Sequence, residues 1–393
     1  MGDKLDIKKA VKNNTMVFAL IGVMLLFQIL ITATGHGSLF VPANITNLIN
    51  QNAWVAILAT GMLMCILTGG NVDLSVGSIL CFVGAVGGSL MVNHHWNVGL
   101  VILICILVGT CVGAIQGAII AYIHVPPFIT TLAGMLLWRG LANVILQGLT
   151  LSPMPAPFMK LFASYLFAPT EENPISYGTL IVAAICIAAF VLFSVFNRTS
   201  RKRQGYDVPA LSGFLAKLII LSAVIAAIAV FISLDKGLPV VLILLAIIVG
   251  AYSYYTQHTV PGRYLYAIGG NAKAAKLSGV NTDNVMMFAY TNNGFITAIA
   301  AMVVMARFNS ASPTAGNSYE MDAIASCFIG GASAYGGTGK VSGAVIGAIF
   351  MGVLNNGMSI LGVDSNWQKA VKGIVLLLAV IFDVVSKKKK TSK

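Results

Sequence analysis

The chain has 393 residues, of which 58% are apolar and only 9% charged, against roughly 25% charged residues in soluble globular proteins. So few charges cannot cover the water-facing surface of soluble domains, and so much apolar character excludes a disordered chain. The net charge of +12 does not point to nucleic acid, because the basic residues sit in short clusters between apolar runs, as cytoplasmic loops of membrane proteins do.

In chain order, Lys4, Lys8, Lys9 and Lys12 precede an apolar run over 16–34. The run is longer than the apolar region of a secretory signal and has no small-residue cleavage site after it, so it reads as a retained first span. Further spans are expected at 53–69, 75–92, 98–123, 129–147, 176–197, 211–232, 239–256, 285–306, 323–337, 341–361 and 367–385, each judged against the roughly 20 apolar residues needed to cross the hydrocarbon core. The segment 323–337 is short and rich in Gly, Ala and Ser, the composition of a half-helix or broken helix buried against protein.

The expected fold is therefore all-α: a polytopic integral membrane helix bundle of about 12 transmembrane segments (10–12), with N- and C-termini cytoplasmic. It divides into a tail over 1–15, one membrane domain over 16–385 that includes an inner loop over 257–284, and a basic tail over 386–393. The charges support that orientation. It places Lys4–Lys12, Arg198–Arg203, Arg263–Lys276, Lys340 and Lys387–Lys393 inside, and leaves only Lys160, Lys236, Arg307, Lys369 and Lys372 outside.

Between the first two spans, Ile45, Leu48 and Ile49 fall at the spacing of a short amphipathic helix over 42–49, expected at the outer interface. The outer loop 148–175 holds Pro153, Pro155, Pro157, Pro169 and Pro174 and is expected to be irregular. Small residues recur every four positions at Gly84 and Gly88, at Gly109, Gly113 and Gly117, and at Gly343 and Gly347, which lets helix backbones approach closely in lipid. The six cysteines lie in apolar runs without metal-ligand spacing and read as small buried hydrophobes.

Motifs for chemistry are absent or incomplete. The stretch Ala334–Val341 contains Gly339-Lys340 but lacks the leading glycine and the magnesium-binding hydroxyl of a phosphate-binding loop, so it reads as a tight inter-helical turn. His94 and His95 are adjacent in an outer loop with no further ligands in reach, and no metal site is expected. In the inner loop, Asn271 is a good N-cap and Gly279 a good helix stop. A two-turn helix over 271–279 is expected to project from the membrane and, being marginal alone in water, to pack against a partner.

Polar groups inside spans are costly in lipid and usually serve function. Asp73 and Ser75 lie where two spans meet, Arg139 lies well inside 129–147, and Gln116, Asn293 and Asn356 are amides within spans. No acidic residue sits near the centre of a span, which argues against a proton relay. Amides and hydroxyls suit a neutral, hydroxyl-rich solute.

These residues carry a resemblance to the membrane permease subunits of bacterial ATP-binding-cassette importers for simple sugars, of the ribose and xylose type. Its pieces are Asp73-Leu74-Ser75-Val76-Gly77, the run from Val125-Pro126-Pro127-Phe128 to Gly134, Gly262-Arg263, Ala267-Ile268-Gly269-Gly270-Asn271 with Ser278-Gly279-Val280, and Asn355-Asn356-Gly357-Met358. The extra spans over 176–232 and the total length resemble the xylose type more than the shorter ribose type.

The resemblance implies a paired permease, a homodimer or a pair with a related chain. It also implies a cytoplasmic ATPase that binds ATP and magnesium, and an extracytoplasmic sugar-binding protein. The chain itself would bind no cofactor and would not be an enzyme. Coupling to the ATPase would fall to Gly262, Arg263, Gly269, Gly270, Asn271, Ala274, Ala275, Ser278 and Gly279. Ser75, Gln116, Asn293 and Asn356 are candidates for the path of a neutral monosaccharide, a xylose-like pentose or galactose-type hexose. Asp73, Pro126, Pro127 and Arg139 are structural or gating candidates. The competing reading is a stand-alone secondary transporter or channel for a small polar solute.

Overall fold

The computed structural model describes residues 15–206, 208 and 210–391, with side chains over 16–385. The N-terminal tail over 1–14 and the side chains of the basic tail 386–393 lie outside the described residues. The helices in chain order are α1 (Thr15–Ala33), α2 (Pro42–Leu67), α3 (Val76–Gly88, extended by a π-turn over Ser89–Asn93), α4 (Val98–Ala121), α5 (Pro127–Leu146), α6 (Ala156–Phe162) and α7 (Tyr177–Arg203). They continue with α8 (Leu211–Ser233), α9 (Val240–His258), α10 (Val260–Leu277), α11 (Thr282–Phe308), α12 (Tyr319–Ile329), α13 (Val341–Ile360) and α14 (Ser365–Thr391). The chain is a polytopic helical membrane protein: among the described residues, ten helices are long and apolar enough to cross a bilayer.

Local chemistry sets many of the helix starts. The side chains of Asn97, Thr259 and Asn281 accept hydrogen bonds from the first free backbone N–H groups of α4, α10 and α11, the role of an N-cap. Proline stands in the first turn of α2, α5, α6 and α10, where its missing N–H has no helical partner to lose.

The pattern of pairings repeats within the chain. α2, α3, α4 and α5 form one set, and α11, α12, α13 and α14 the other. α11 packs on α4 as α2 packs on α13, α3 packs on α5 as α12 packs on α14, and α3 meets α11 as α12 meets α2. α2 and α11 lie side by side and antiparallel: Arg307 Nη1 donates to Gln51 O, while Cys65 Sγ reaches Ala289 O. The two sets thus have opposite orientations, the arrangement of an inverted repeat.

Glycines allow the tightest contacts. A Cβ on Gly109 or Gly113 would lie 2.7 or 2.5 Å from a carbonyl oxygen of α11 (Gly294 or Tyr290), and one on Gly347 would lie 1.9 Å from Ser326 O. α2 and α11 form the buried centre, whereas α7 and α8 pack mainly on each other, and α8 touches α2. Four cysteines are buried as expected; Cys111 and Cys186 face outward from their helices.

Three expectations are corrected. The helix over 42–49 is not separate but the first two turns of the 26-residue α2. Within it, the amides of Asn50 and Asn52 donate to Tyr165 Oη and to Leu48 O. The loop 148–175 is partly regular: Pro155 and Pro157 start α6, and Tyr165–Leu166 pairs antiparallel with Leu238–Pro239. Helix also extends before Asn271, over Val260–Gly270, with Thr259 as its cap and Pro261 in its first turn.

The segment 323–337 is broken, as its composition suggested. Its helix is α12, 11 residues long, or about 16 Å at 1.5 Å per residue and half of the roughly 30 Å hydrocarbon core. The irregular segment 330–340 follows it and leads into α13. Gly337 N donates to Leu67 O at the end of α2, so this backbone is satisfied by protein, the condition for irregular structure at membrane depth.

Candidate functional site

Four of the polar residues singled out in the sequence meet in one cluster. Asp73 Oδ1 accepts from Ser75 N at 2.9 Å and from Ser75 Oγ; Asp73 Oδ2 accepts from Asn293 Nδ2 at 2.8 Å; Ser75 Oγ lies 3.1 Å from Gln116 Oε1. Each is at most 3% exposed. Asp73 and Ser75 come from the turn between α2 and α3, Gln116 from α4 and Asn293 from α11. Asn293 lies eleven residues into the 27-residue α11, about 16 Å along its axis. The carboxylate thus takes hydrogen bonds from its own turn and from α11, which makes its burial tolerable, and Ser75 carries the link on to Gln116 of α4.

The other candidates stand apart from it. Asn356 and Asn44 exchange a reciprocal pair of amide hydrogen bonds at 3.0 Å each, linking α13 to the start of α2. Arg139 Nη1 donates to Pro313 O at 3.2 Å and to Ala315 O, so it shapes the connection between α11 and α12. Pro126 and Pro127 are the cap and first residue of α5. His94 and His95 are exposed, and among the described residues no group of His, Cys, Asp or Glu is placed to hold a metal.

Opposite the ends of α5 and α11 lies the segment read as a projecting helix. Asn271 leaves helical geometry, its Oδ1 accepts from Ala274 N at 3.0 Å, and the helix resumes to Leu277. It stops at Gly279, whose φ is +87°. Gly279 N donates to Lys276 O and Val280 N to Ala275 O, a closing pair that needs the left-handed conformation glycine adopts freely. Ala275 is buried; Ala274, Ser278 and Arg263 are exposed, and Leu277 is 90% exposed.

The base of this helix is pinned. A Cβ on Gly269 would lie 1.9 Å from Leu67 O and 2.2 Å from Gly337 N, and one on Gly262 2.1 Å from Tyr255 O, whereas Gly270 faces open space. Tyr266 Oη donates to Gly339 O at 3.0 Å, and burial pushes its phenol above the ordinary value, so it stays a donor. The Gly-rich turn is an inter-helical connection as expected, and it also joins α10, the end of α2 and α14, where Asp383 Oδ2 accepts from Ala334 N at 3.1 Å.

Two polar contacts were not anticipated. The Asn44–Asn356 pair spans the whole sequence, and Lys372 Nζ meets Asp322 Oδ2 at 3.0 Å between α14 and α12. Asp322 lies one residue before the stretch read as a span, where an acidic residue looks like an ordinary helix-end charge.

A helix bundle with ten helices long enough to span a bilayer, a buried polar cluster between them, interrupted helices and a small helix projecting from one end has the architecture of a multi-pass membrane transport protein. The family described as "Branched-chain amino acid transport system / permease component" matches this chain over residues 44–201 and 158–380. The chain belongs to that permease family. It is 38% identical over 377 residues to a xylose transport system permease protein of Escherichia coli K12, covering 96% of this chain and 93% of that protein. To a xylose transport system permease protein of Haemophilus influenzae Rd it is 35% identical, covering 96% and 98%. To a ribose import permease protein of E. coli K12 it is 34% identical, covering 92% of each. No solved structure matches.

Proposed function

We propose that the chain is the membrane permease of an ATP-binding-cassette importer and forms the path for a neutral monosaccharide, a xylose-like pentose or a galactose-type hexose. The observation that carries this reading is the identity to xylose permeases over nearly the whole length of both chains. The central cluster of amide, hydroxyl and carboxylate side chains supports it, since a hydroxyl-rich solute exchanges water for such partners.

On this reading the chain pairs with a second permease copy. The projecting helix, with Leu277 bare at its tip, seats in a cleft of a cytoplasmic ATPase that holds ATP and magnesium. An extracytoplasmic binding protein delivers the sugar. This reading puts both termini in the cytoplasm, the side favoured by the basic clusters of the sequence, and the hydrogen bond from Ala334 to Asp383, which sets α14 beside the base of the projecting helix, supports it for the C-terminus. The cluster of Asp73, Ser75, Gln116 and Asn293 closes the path at mid-depth, and residues 16–385 act as one membrane domain.

The test is uptake of labelled D-xylose, D-ribose and D-galactose by cells that carry the chain with its ATPase and binding protein and lack other carriers. Uptake should require all three components and cease when the ATPase loses its phosphate-binding lysine. Sugar flux through the purified chain alone, in liposomes without ATP, would establish the stand-alone transporter instead.

A further inference from the structure

At the end of the bundle opposite the projecting helix, α3, α11 and the connection 309–318 enclose a cavity of about 290 Å³. Ligand pockets begin near about 300 Å³, so this one suits a single sugar ring. Its lining divides by chemistry. Thr150, Ser310, Ser312 and Thr314 supply hydroxyls, and Phe308 and Tyr319 supply aromatic rings.

The hydroxyls are linked: Thr150 Oγ1 donates to Ser312 Oγ at 3.3 Å, and Ser312 Oγ and Thr314 Oγ1 lie 2.9 Å apart. Each hydroxyl has one donor and two lone pairs, so this chain of three keeps both donor and acceptor capacity for a guest. A sugar ring needs that combination, hydrogen bonds at its edge and an apolar surface for its C–H face. Two features hold the site in shape: Arg139 donates to the carbonyls of Pro313 and Ala315, and Tyr319 stacks on Trp54 with ring centres 3.7 Å apart. Beyond the cavity, Gly77 and Gly316 are in backbone contact, and past them lies the cluster around Asp73.

We propose that this cavity is an outward-facing binding site for one monosaccharide, where the sugar rests before the bundle opens beneath it. The inference rests on the reading of the chain as a sugar permease and adds the place of first binding.

The experiment uses the full chain in lipid nanodiscs, with the six native cysteines replaced by alanine and Ser310→Cys introduced as a reporter. The rate of its reaction with a small methanethiosulfonate reagent is measured with D-xylose, D-ribose, D-galactose or sucrose. At least one monosaccharide should slow the reaction several-fold, and sucrose, too large for the cavity, should not. Ser312→Ala and Thr314→Val, which remove a hydroxyl with little change of shape, should each raise the half-protecting concentration about fivefold, the value of one hydrogen bond.

Equal rates with and without all three monosaccharides would overturn the proposal, as would equal protection by sucrose or protection that ignores Ser312→Ala with Thr314→Val. Should the cysteine-free chain not fold, saturation-transfer NMR of the three sugars on the native chain, with and without Ser312→Ala, decides between binding and its absence. A complete importer that takes up sugar while its permease shows no protection removes the site but not the permease function; absence of uptake of all three sugars removes the sugar reading itself.

Discussion

Gly77 and Gly316 touch back to back at the centre of the bundle: a Cβ on Gly77 would lie 2.2 Å from Gly316 O, and one on Gly316 would lie 2.1 Å from Gly77 O. They stand at the two helix breaks, one just inside α3 and the other just before α12, so the halves of the inverted repeat meet through bare backbone. Gly77→Ala should cost about 1–3 kcal/mol of overpacking strain and reduce uptake. Gly140→Ala, where nothing lies within 4 Å, should do neither. Thermal unfolding in detergent and uptake of labelled sugar measure both, and equal behaviour of the two variants would remove the role of this contact.

The Asp73 carboxylate is the shared acceptor of the central cluster. Asp73→Ala strands the Ser75 N–H and the Asn293 amide, each of which otherwise has its bond to Asp73. A buried polar group left without a partner costs about 1–3 kcal/mol, so the variant should unfold at a clearly lower temperature. Asp73→Asn keeps the shape and one acceptor oxygen and should fall between. A melting temperature in Asp73→Ala equal to that of the native chain would show that the cluster carries no stability.

The projecting helix separates folding from docking. Ala275 is buried at its base and Gly279 needs φ = +87°, so Ala275→Asp with Gly279→Pro should abolish uptake and co-purification of the ATPase, partly by unfolding the segment. Leu277 is 90% exposed and touches little in this chain. Leu277→Asp should leave stability within about 0.5 kcal/mol of native, as surface changes do, and still release the ATPase in a pull-down. Normal retention of the ATPase by Leu277→Asp would remove the docking role from this tip.

The contrast between these sites follows what was legible in the sequence. Asn271 and Gly279 are local signals: a cap and a stop act within a few residues, and both fall where the pattern places them. Asp73, Ser75, Gln116 and Asn293 could be picked out as polar residues in apolar surroundings, but their meeting depends on how α2, α4 and α11 pack, which no local pattern contains. Asn356 was selected by the same rule and is bonded to Asn44 instead. The helix over 42–49 was legible from Ile45, Leu48 and Ile49, but its continuation through Asn50 and Asn52 to Leu67 was not, since Asn50 finds its partner in Tyr165, far along the chain. Pro155 and Pro157 read as breakers but start a helix, since a first turn has no use for their missing N–H groups. The inverted repeat shows in which helices pair with which, a relation between distant segments that no local pattern contains.

Lys372 and Asp322 offer the most direct measure of a long-range contact that the sequence hid. Their atoms lie 3.0 Å apart, with Asp322 2% and Lys372 19% exposed, and the pair ties the half-helix α12 to the last helix, α14. Removing one partner of a buried ion pair leaves an uncompensated charge and costs about 3–5 kcal/mol, whereas replacing both by apolar residues of similar volume is often neutral. Lys372→Met should therefore lower the melting temperature sharply, and Lys372→Met with Asp322→Leu should restore most of the loss. The coupling between the two changes, taken from a double-mutant cycle on unfolding in detergent, should reach at least about 1 kcal/mol. Additive effects would mean that the two side chains act separately, and that α12 is held against α14 by the rest of its packing.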